Sequence, residues 1–308
     1  MIIANPIYDV VFKRLMENER VAKFFISTLL RREIHSIRVR PQEFTYTDES
    51  RGIAVFRLDF IAIVETEDGG TKKILIEMQK VKNHIDLIRF RSYLAEQYKK
   101  EDVVDGEKLT LPITTIYILG FKIPEIKSAC FHVERRYKDL IDNKLIEEKS
   151  YFVERLSHDS YVVQVKRIGQ RYQTRLDKLL SVFEQRHFTD ATEVVKEYKY
   201  EIDEEEVKVI TEILHYSGTD PEARKALEIE QEAWRTIDAY FAEKERKYQK
   251  KLLAVTEELN EKGKELDEKN KALDEKKRTL EEQDKLLEEQ KRLIEELRQR
   301  LESDEEGE

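Results

Sequence analysis

The amino-acid sequence predicts an α/β fold with the element order α-β-β-β-α-β in the first part of the chain. One observation is a hairpin signal, because two β-branched runs, Val55–Glu65 and Lys72–Val81, flank the turn Glu67-Asp68-Gly69-Gly70. Another is Leu111–Phe121, a short and almost continuous apolar run that is typical of a strand buried on both faces. Amphipathic segments on either side of the hairpin supply the two helices.

Two segments precede the hairpin. Ile7–Leu30 has apolar residues at helical spacing, which predicts an amphipathic helix with a break around Asn18, and Pro6 suits its first turn. Ile34–Tyr46 alternates between apolar and polar residues and predicts one strand or two short ones. Pro41 then requires that this strand lies at a sheet edge or contains a bulge.

The segments after the hairpin predict a second layer of elements. Asn83–Glu101 is predicted as a helix, and Leu111–Phe121 follows it as the buried strand. Three further strands are expected to extend the sheet or to form a small β layer, namely Ala129–Tyr137, Tyr151–Arg155 and Tyr161–Val165. Four helices are expected to follow, at Arg171–Phe188, Ala191–Tyr200, Asp203–His215 and Pro221–Tyr240, the last capped by Asp220.

The C-terminal part has a strict seven-residue repeat. Leucine or isoleucine occupies every position of the series Leu252, Leu259, Leu266, Leu273, Leu280, Leu287, Ile294 and Leu301. This repeat predicts a coiled coil, although the second seam is mostly polar, so either weak pairing or a single charge-stabilised helix is compatible with it. We therefore divide the chain into a domain at 1–170, a helical region at 171–242, a coiled coil at 243–302 and an acidic disordered tail at 303–308.

Bulk composition restricts the class of protein. The 308 residues have a net charge of −9, which argues against a protein that coats nucleic acid nonspecifically, although a local basic cleft is compatible with it. The single cysteine, Cys130, excludes an intramolecular disulfide and indicates a reducing compartment. No apolar run is long enough to cross a membrane and no signal peptide is recognisable, so a cytoplasmic protein without membrane partners is expected.

Polar residues lie inside both strands of the predicted hairpin. Asp59 interrupts one strand, and Glu77 and Gln79 share one face of the other, while Lys80 points to the opposite face. If the strands pair so that Asp59 faces Glu77, two carboxylates and an amide converge, and such a cluster is costly to bury without compensation. A divalent cation that prefers oxygen ligands, such as Mg²⁺, would compensate it.

Four short motifs, in this order, resemble a known family. They are Asn5-Pro6 with Asp9-x-x-Phe12-Lys13-x-Leu15-Met16, then Arg57-Leu58-Asp59-Phe60, Leu75-Ile76-Glu77-Met78-Gln79-Lys80 and Arg89-Phe90-Arg91-x-Tyr93. On these elements the chain resembles the PD-(D/E)XK nuclease superfamily. It is more narrowly similar to the bacterial PD-(D/E)XK nuclease family transposases, which are related to recombination-promoting nucleases. The resemblance covers Asn5 to Phe121, and only the general layout agrees beyond that.

The resemblance implies a restriction-endonuclease-like core and a metal-dependent endodeoxyribonuclease. Asp59 and Glu77 would then ligate Mg²⁺ or Mn²⁺, and Asp9 would complete the site or hold a second metal or a water. Gln79 stands where the superfamily usually has a lysine, as it generally does in the transposase-like branch. The catalytic set would be Asp59, Glu77, Gln79 and Lys80.

The usual lysine can lower the pKa of the attacking water or stabilise charge that develops on the phosphate. A neutral amide can only orient water or phosphate. The missing positive charge would come from Lys13 or from an arginine of the following helix, Arg89 or Arg91, and these phosphate-binding candidates stay open as alternatives. DNA would contact scattered cations, for which the candidates are Arg31, Arg32, Arg38, Arg40, Arg135, Arg136, Lys166, Arg167, Arg171 and Arg175.

Two functions are therefore expected as alternatives. The first is a DNA endonuclease with a role in recombination, transposition or mobile-element defence. The second is a catalytically inactive nuclease-fold protein that acts as a coiled-coil assembly or nucleic-acid-binding factor, and the glutamine at position 79 motivates it. In both cases the heptad repeat predicts a homodimer or higher oligomer, and a parallel dimer would hold two single-strand-cutting sites at a fixed separation.

Overall fold

A computed structural model describes residues 1–48, 53–66, 69–80, 84–104, 106–189 and 192–305. Within these ranges the side chains of 40–48, 53–59, 84–89, 237–238, 241, 245 and 296–305 lie outside the description. The chain divides into two compact units, Met1–Asp238 and Ala239–Glu308. The first unit is a mixed α/β structure built on a six-stranded mixed sheet, and the second is helical.

The elements from the N-terminus to the buried strand include the predicted order of helix, three strands, helix and strand. They are β1 (Ile2–Ala4), α1 (Asp9–Glu17), α2 (Glu19–Leu30), β2 (Ile34–Asp48), β3 (Ile53–Thr66), β4 (Thr71–Gln79), α3 (His84–Lys99), β5 (Asp102–Val104), β6 (Glu107–Leu109) and β7 (Ile113–Leu119). The three short strands β1, β5 and β6 were not predicted. The predicted helical break is confirmed at Asn18, whose side chain accepts a hydrogen bond from the Val21 amide and begins α2. Of the hairpin turn, residues 67 and 68 lie outside the described residues.

The remaining elements differ more from the sequence-based expectation. They are β8 (Cys130–Val133), β9 (Tyr137–Lys138), β10 (Leu145–Ile146), α4 (Val153–Leu156), β11 (Asp159–Gln164), a 3₁₀ turn (Val165–Arg167), α5 (Arg175–Ser181), β12 (Val195–Glu197), α6 (Glu205–Thr219) and α7 (Pro221–Glu305). The Asp220 carboxylate accepts a hydrogen bond from the Ala223 amide, which confirms the predicted cap of α7. Residues 306–308, the end of the predicted disordered tail, lie outside the described part of the chain.

Three of these predictions were wrong. Tyr151–Arg155 is not a strand but leads into the four-residue helix α4, and Arg155 is held there by bonds to the carbonyl oxygens of Thr110 and Tyr151. Ala191–Tyr200 is not a helix, because its centre forms β12 and pairs with β1. The helix predicted at Arg171–Phe188 is shorter, because the capping box of Thr174 and Asp177 begins α5 only at Arg175.

The main sheet has the strand order β2-β3-β4-β7-β11-β8. Strands β2, β3 and β4 are antiparallel to each other, whereas β4, β7 and β11 are parallel. The edge position of β2 accommodates Pro41, as predicted, because an edge strand tolerates a missing amide donor. Strands β4 and β7 lie at the centre, where their apolar residues are covered on both faces.

The two faces of the sheet are covered by different helices. Ile74 and Ile76 of β4 belong to the large core that also contains Phe12 of α1 and Phe25 of α2. Leu75, between them, belongs to a smaller cluster on the other face, which includes residues of α3. Among the described residues, no helix has the length and apolar character needed to cross a membrane.

Candidate functional site

Glu77 is a buried acid on the central strand β4. Only 2% of its surface is exposed. Glu77 is two residues after Leu75 on the strand, so both side chains point to the sheet face that α3 covers. In the parallel register with β7 its partner position is Tyr117. A carboxylate at such a position is expensive to bury without polar or charged partners, which is why it indicates a functional or tightly compensated site.

Tyr117 is the closest polar neighbour of Glu77 in the register. Its ring packs against Phe90 of α3, with ring centroids 4.7 Å apart. Burial above all, and in addition the negative charge of Glu77, raise the pKa of Tyr117. The phenol therefore stays protonated and can act as a hydrogen-bond donor on the face where Glu77 lies. The sequence analysis missed this residue, whose only signal is a phenol inside an otherwise apolar strand.

Asp59 occupies the expected place in the backbone of the hairpin. It pairs with Gln42 of β2 on one side. On the other side, the antiparallel ladder between β3 and β4 ends at the pair Phe60 and Ile76, one residue before Asp59 and Glu77. The sequence-based prediction that Asp59 faces Glu77 therefore stays a prediction. The side chain of Asp59 lies outside the described residues.

Gln79 and Lys80 end β4 and diverge from each other. Gln79 is half-buried and has the strand parity of Glu77, and its carbonyl oxygen accepts a hydrogen bond of 2.8 Å from the Gly120 amide. The ammonium of Lys80 instead lies 3.6 Å from the ring centroid of Tyr8 and 5.5 Å from that of Trp234. Lys80 therefore points to the sheet face that packs on the large core, as strand alternation predicts, and contacts aromatic rings there. Gln79 points to the same face as Glu77.

Gly120 makes the close approach at this end of the sheet possible. A β-carbon at this position would lie 2.4 Å from the carbonyl oxygen of Lys80 and 2.8 Å from the Cδ1 atom of Ile7. Because the first of these is backbone, a larger residue would displace the end of β4. The glycine thus lets β4, β7 and the segment before α1 meet at the carboxyl ends of the two parallel strands.

Asp9 begins α1, on the side of the sheet opposite to α3. Its amide and that of Val10 donate hydrogen bonds of 2.8 and 3.0 Å to the two carboxylate oxygens of Glu230. The indole Nε1 of Trp234 donates a further bond of 3.1 Å to the same carboxylate. Glu230, an acid that the sequence analysis missed, therefore caps the positive end of α1. The Asp9 side chain is half-buried, and its predicted role at the metal site stays a prediction.

The second buried charge on the α3 face of β4 is Lys73. Its ammonium lies 2.6 Å from the carboxylate of Asp102, and only 2% of the lysine side chain is exposed. This ion pair compensates Lys73 locally, so it is a structural feature of the strand. The sequence contains a signal for this position, because Lys73 alternates with Leu75 and Glu77 and so points to the same face of β4. The sequence-based site prediction included only residues near the end of β4.

The cations proposed to bind phosphate are spread over two sides of the sheet. Arg91 is exposed on α3, the helix that covers the Glu77 face, and the Arg89 side chain lies outside the described residues. Lys13 is half-buried on α1, the helix of the large-core face. Since Glu77 lies on the α3 face, the helix that carries the two arginines is the nearer source of positive charge.

The donor set fits a hard divalent cation in its chemistry. Glu77 offers a buried carboxylate and Gln79 an amide oxygen, and the neighbouring strand β3 carries a second acid, Asp59. Among the residues whose side chains are described, no three histidine, cysteine or acidic residues are grouped as metal ligands. The Asp59 side chain lies outside that set, so this statement does not apply to the predicted pair of Asp59 and Glu77.

Four arginines gather at a different place, in a cavity of about 540 Å³ between α2 and α5. Arg31, Arg32, Arg171 and Arg175 line it together with two acids. Two of the arginines are paired with these acids, since Arg171 lies 2.9 Å from Asp177 and Arg175 lies 3.5 Å from Glu33. The sequence predicted all four as DNA contacts but did not predict that the fold brings them together.

A second cavity, of about 390 Å³, shares Arg32 with the first. Lys72 at the start of β4 lines it, and this lysine alternates with Ile74, so it belongs to the sheet face opposite to that of Glu77. Lys149 and Arg155 also line it. Together the two cavities are lined by eight lysine or arginine residues and five acidic residues. We call the following seven cations the arginine cleft: Arg31, Arg32, Arg171, Arg175, Lys72, Lys149 and Arg155.

Two of the other predicted DNA contacts have structural roles. Arg135 donates to the carbonyl oxygen of Ser157 at 2.9 Å and forms ion pairs with Glu154 and Asp159, at 2.9 and 3.3 Å. Arg167 donates to the carbonyl oxygen of Ile123 at 2.8 Å. Both guanidinium groups hold loops in place, so neither is available to bind phosphate without breaking these bonds.

Comparisons with known proteins do not assign this chain to a family. No protein-family model, no curated protein and no solved structure matches this chain.

Proposed function

We propose that this protein is a metal-dependent nuclease of the PD-(D/E)XK type that hydrolyses phosphodiester bonds in DNA. The observation that carries the proposal is the buried Glu77 on the central strand, with Asp59 on the neighbouring strand β3 one residue beyond the last β3–β4 pair. The order of helix, three strands, helix and parallel strand around these acids supports it as well. A link to recombination, transposition or mobile-element defence is part of the same proposal.

The residues divide the chemistry between them. Asp59 and Glu77 would hold Mg²⁺ or Mn²⁺, which when bound supplies charge neutralisation at the phosphate and a more acidic water. Gln79 would orient the water or the phosphate through its amide, and the protonated Tyr117 would donate a hydrogen bond on the same face. Arg91 and Arg89, from the helix on this face, would provide the positive charge that the superfamily usually takes from a lysine.

Cleavage of plasmid, linear and single-stranded DNA by the full chain, with Mn²⁺ or Mg²⁺ and with chelator, tests this proposal. We expect Glu77→Gln and Asp59→Asn to lower the cleavage rate by about 100-fold or more while the circular dichroism spectrum stays unchanged. Glu65→Gln is the matched control, because Glu65 is an exposed acid on the same strand as Asp59. Calorimetry of Mn²⁺ binding provides a second readout, which the two site variants should lose and the control should keep.

Parental cleavage rates in both site variants would reject the site assignment. A folded parent protein that neither binds Mn²⁺ nor cuts any of the three substrates would reject the nuclease proposal itself.

A second function, DNA binding without cleavage, is favoured by two observations. Gln79 replaces the usual lysine, and Lys80 lies against Tyr8 on the other side of the sheet. The arginine cleft would then bind the phosphate backbone independently of the metal. In chelator, we expect Arg32→Glu to weaken DNA binding and to reduce its salt dependence, because Arg32 lines both cavities. The control is Arg224→Glu, an exposed arginine that is paired with Glu228 on α7 and lines neither cavity.

Equal DNA affinity and salt dependence in Arg32→Glu and the parent would remove the cleft from the binding surface. Cleavage by the parent protein would instead make binding alone an insufficient description.

A further inference from the structure

The long helix α7 has an uncovered apolar stripe in the second unit. Every seventh residue from Leu252 onward is apolar, and each of these side chains described between Leu252 and Ile294 is more than half exposed. A single helix in water leaves this stripe solvated, and burying it against another helix would be favourable. The unit itself contains no other described element that could cover the stripe.

The residues beside the leucines identify the partner. With the leucines at heptad position d, the residue after each of four successive leucines, at position e, is acidic: Asp267, Asp274, Glu281 and Glu288. The residue three positions after a leucine, at position g, is a lysine in three successive heptads: Lys262, Lys269 and Lys276. One edge of the stripe is therefore basic and the other acidic over the same segment, which makes the helix complementary to itself.

The charges also set the orientation. In a parallel pair, each g residue faces the e residue five positions later on the other chain, which joins Lys262 with Asp267, Lys269 with Asp274 and Lys276 with Glu281. In an antiparallel pair, g faces g and e faces e, so lysines would meet lysines and acids would meet acids. We propose that the segment Leu252–Leu280 forms a parallel, two-stranded coiled coil with a second copy of this chain.

Position a holds Thr256, Gly263 and Asn270 before Lys277, so this seam adds little apolar burial, and Gly263 lowers the helix propensity. Asn270 would pair with its own copy, and a buried asparagine at this position specifies a parallel dimer in symmetric register at some cost in stability. The next two a positions hold Lys277 and Asp284, which would each face their own copy and weaken the pairing beyond Leu280. Association is therefore concentration-dependent, and the zipper is strongest before Lys277.

Sedimentation equilibrium of the full-length chain over a range of concentrations tests the pairing. We expect the parent to approach the mass of two chains. Lys262→Glu, Lys269→Glu and Lys276→Glu, combined in one variant, should shift the mass to that of one chain, because each e–g contact becomes repulsive. The matched control combines Lys264→Glu, Lys271→Glu and Arg278→Glu, which change the charge equally at position b, on the side away from the partner.

Disulfide formation tests the orientation in a Cys130→Ser background. Thr256→Cys introduces a thiol at position a, and identical positions adjoin in a parallel pair, so oxidation should give a covalent dimer. In an antiparallel pair centred on Leu273 the two thiols would lie about 51 Å apart and could not join. A parent protein that stays monomeric at all concentrations overturns the proposal, and a dimer without this disulfide overturns its orientation. Neither result depends on nuclease activity.

Discussion

The two faces of β4 share one backbone but differ in what they bury. Toward α1 and α2 the strand presents Ile74 and Ile76, which are part of a continuous apolar core. Toward α3 it presents Lys73 and Glu77 on either side of Leu75, and both charged residues are only 2% exposed. Apolar burial stabilises the first face directly, whereas charges on the second face must be compensated before they contribute. On the second face Asp102 compensates Lys73, so Glu77 is the buried charge to which the proposed function gives a role.

The largest expected effect is a difference between substitutions on the two faces of β4: one should lower stability and the other should lower activity. Ile76→Ala should lower the free energy of unfolding by about 2–5 kcal/mol, because it opens a cavity in the large core. Glu77→Gln, at the next residue, keeps the side-chain volume and should change stability by less than about 1 kcal/mol while it reduces cleavage. Urea denaturation of the two variants measures the contrast. A Glu77→Gln protein as unstable as Ile76→Ala would mean that Glu77 has a structural role.

The buried lysine on the same face should behave as half of an ion pair. Lys73→Met leaves the Asp102 carboxylate without its 2.6 Å partner and should cost about 3 kcal/mol. The double variant Lys73→Met with Asp102→Leu removes both charges and should recover most of this loss. Denaturation of the single and double variants gives the coupling energy. If the double variant is as unstable as Lys73→Met alone, the pair is not what compensates Lys73.

Lys196, a buried lysine on β12, shows how the cost of burying a charge depends on pH. Burial lowers the pKa of Lys196 to about 7, an effect that the charge of Glu184 only partly opposes. Between about pH 7 and pH 10 the unfolded chain then binds more protons at this residue than the folded chain, so stability rises with pH, by at most about 1.4 kcal/mol per unit. Below pH 7 Lys196 is protonated in both the folded and the unfolded chain, so the free-energy cost of burying its charge is fully present.

Lys196→Met removes this titration. The stability of the parent relative to Lys196→Met should therefore rise from pH 7 to pH 9, by about 2 kcal/mol in total. Thermal denaturation of both proteins across this range measures the difference. A difference independent of pH would show that Lys196 has the same pKa in the folded and unfolded chains.

The smallest expected effect concerns Lys80, the residue next to Gln79. Its contact with the Tyr8 ring is a cation–π interaction, so Lys80→Met should cost about 1 kcal/mol and leave cleavage nearly unchanged. Unfolding and cleavage assays on this variant check whether Lys80 belongs to the fold rather than to the chemistry. A loss of cleavage comparable to that of Glu77→Gln would contradict this and restore Lys80 to the catalytic set.

The sequence was informative wherever one local rule dominated. The break at Asn18 followed from helix-capping chemistry, the edge position of the strand with Pro41 from its missing amide, and the Asp220 cap from the residues before Pro221. The antiparallel pairing of β3 with β4 next to the turn followed from the hairpin signal, because a short turn fixes strand register over the adjacent residues. These features depend on neighbours that are near in sequence.

Prediction failed where partners distant in sequence decide the structure. Val194 and Val195 suit a helix or a strand equally, and pairing with Ile2–Ala4 makes the segment a strand. Likewise, the gathering of Arg31 with Arg171 depends on α5 packing against α2, which no local pattern encodes. For the candidate site, the acids on β3 and β4 were predictable, whereas the contribution of Tyr117 came only from the alignment of β7 with β4.

The pairing of β1 with β12 has a consequence for synthesis of the protein. The carbonyl oxygen of Met1 accepts a hydrogen bond of 2.8 Å from the Tyr198 amide, and these residues are 197 positions apart. At about 5–20 residues per second, a ribosome needs about 10–40 s to reach the second of them after the first. Strand β1 thus waits for its partner strand, and the leucine repeat is made after both. A translation pause after Tyr198 would let the N-terminal strand find its place before the zipper segment is synthesised.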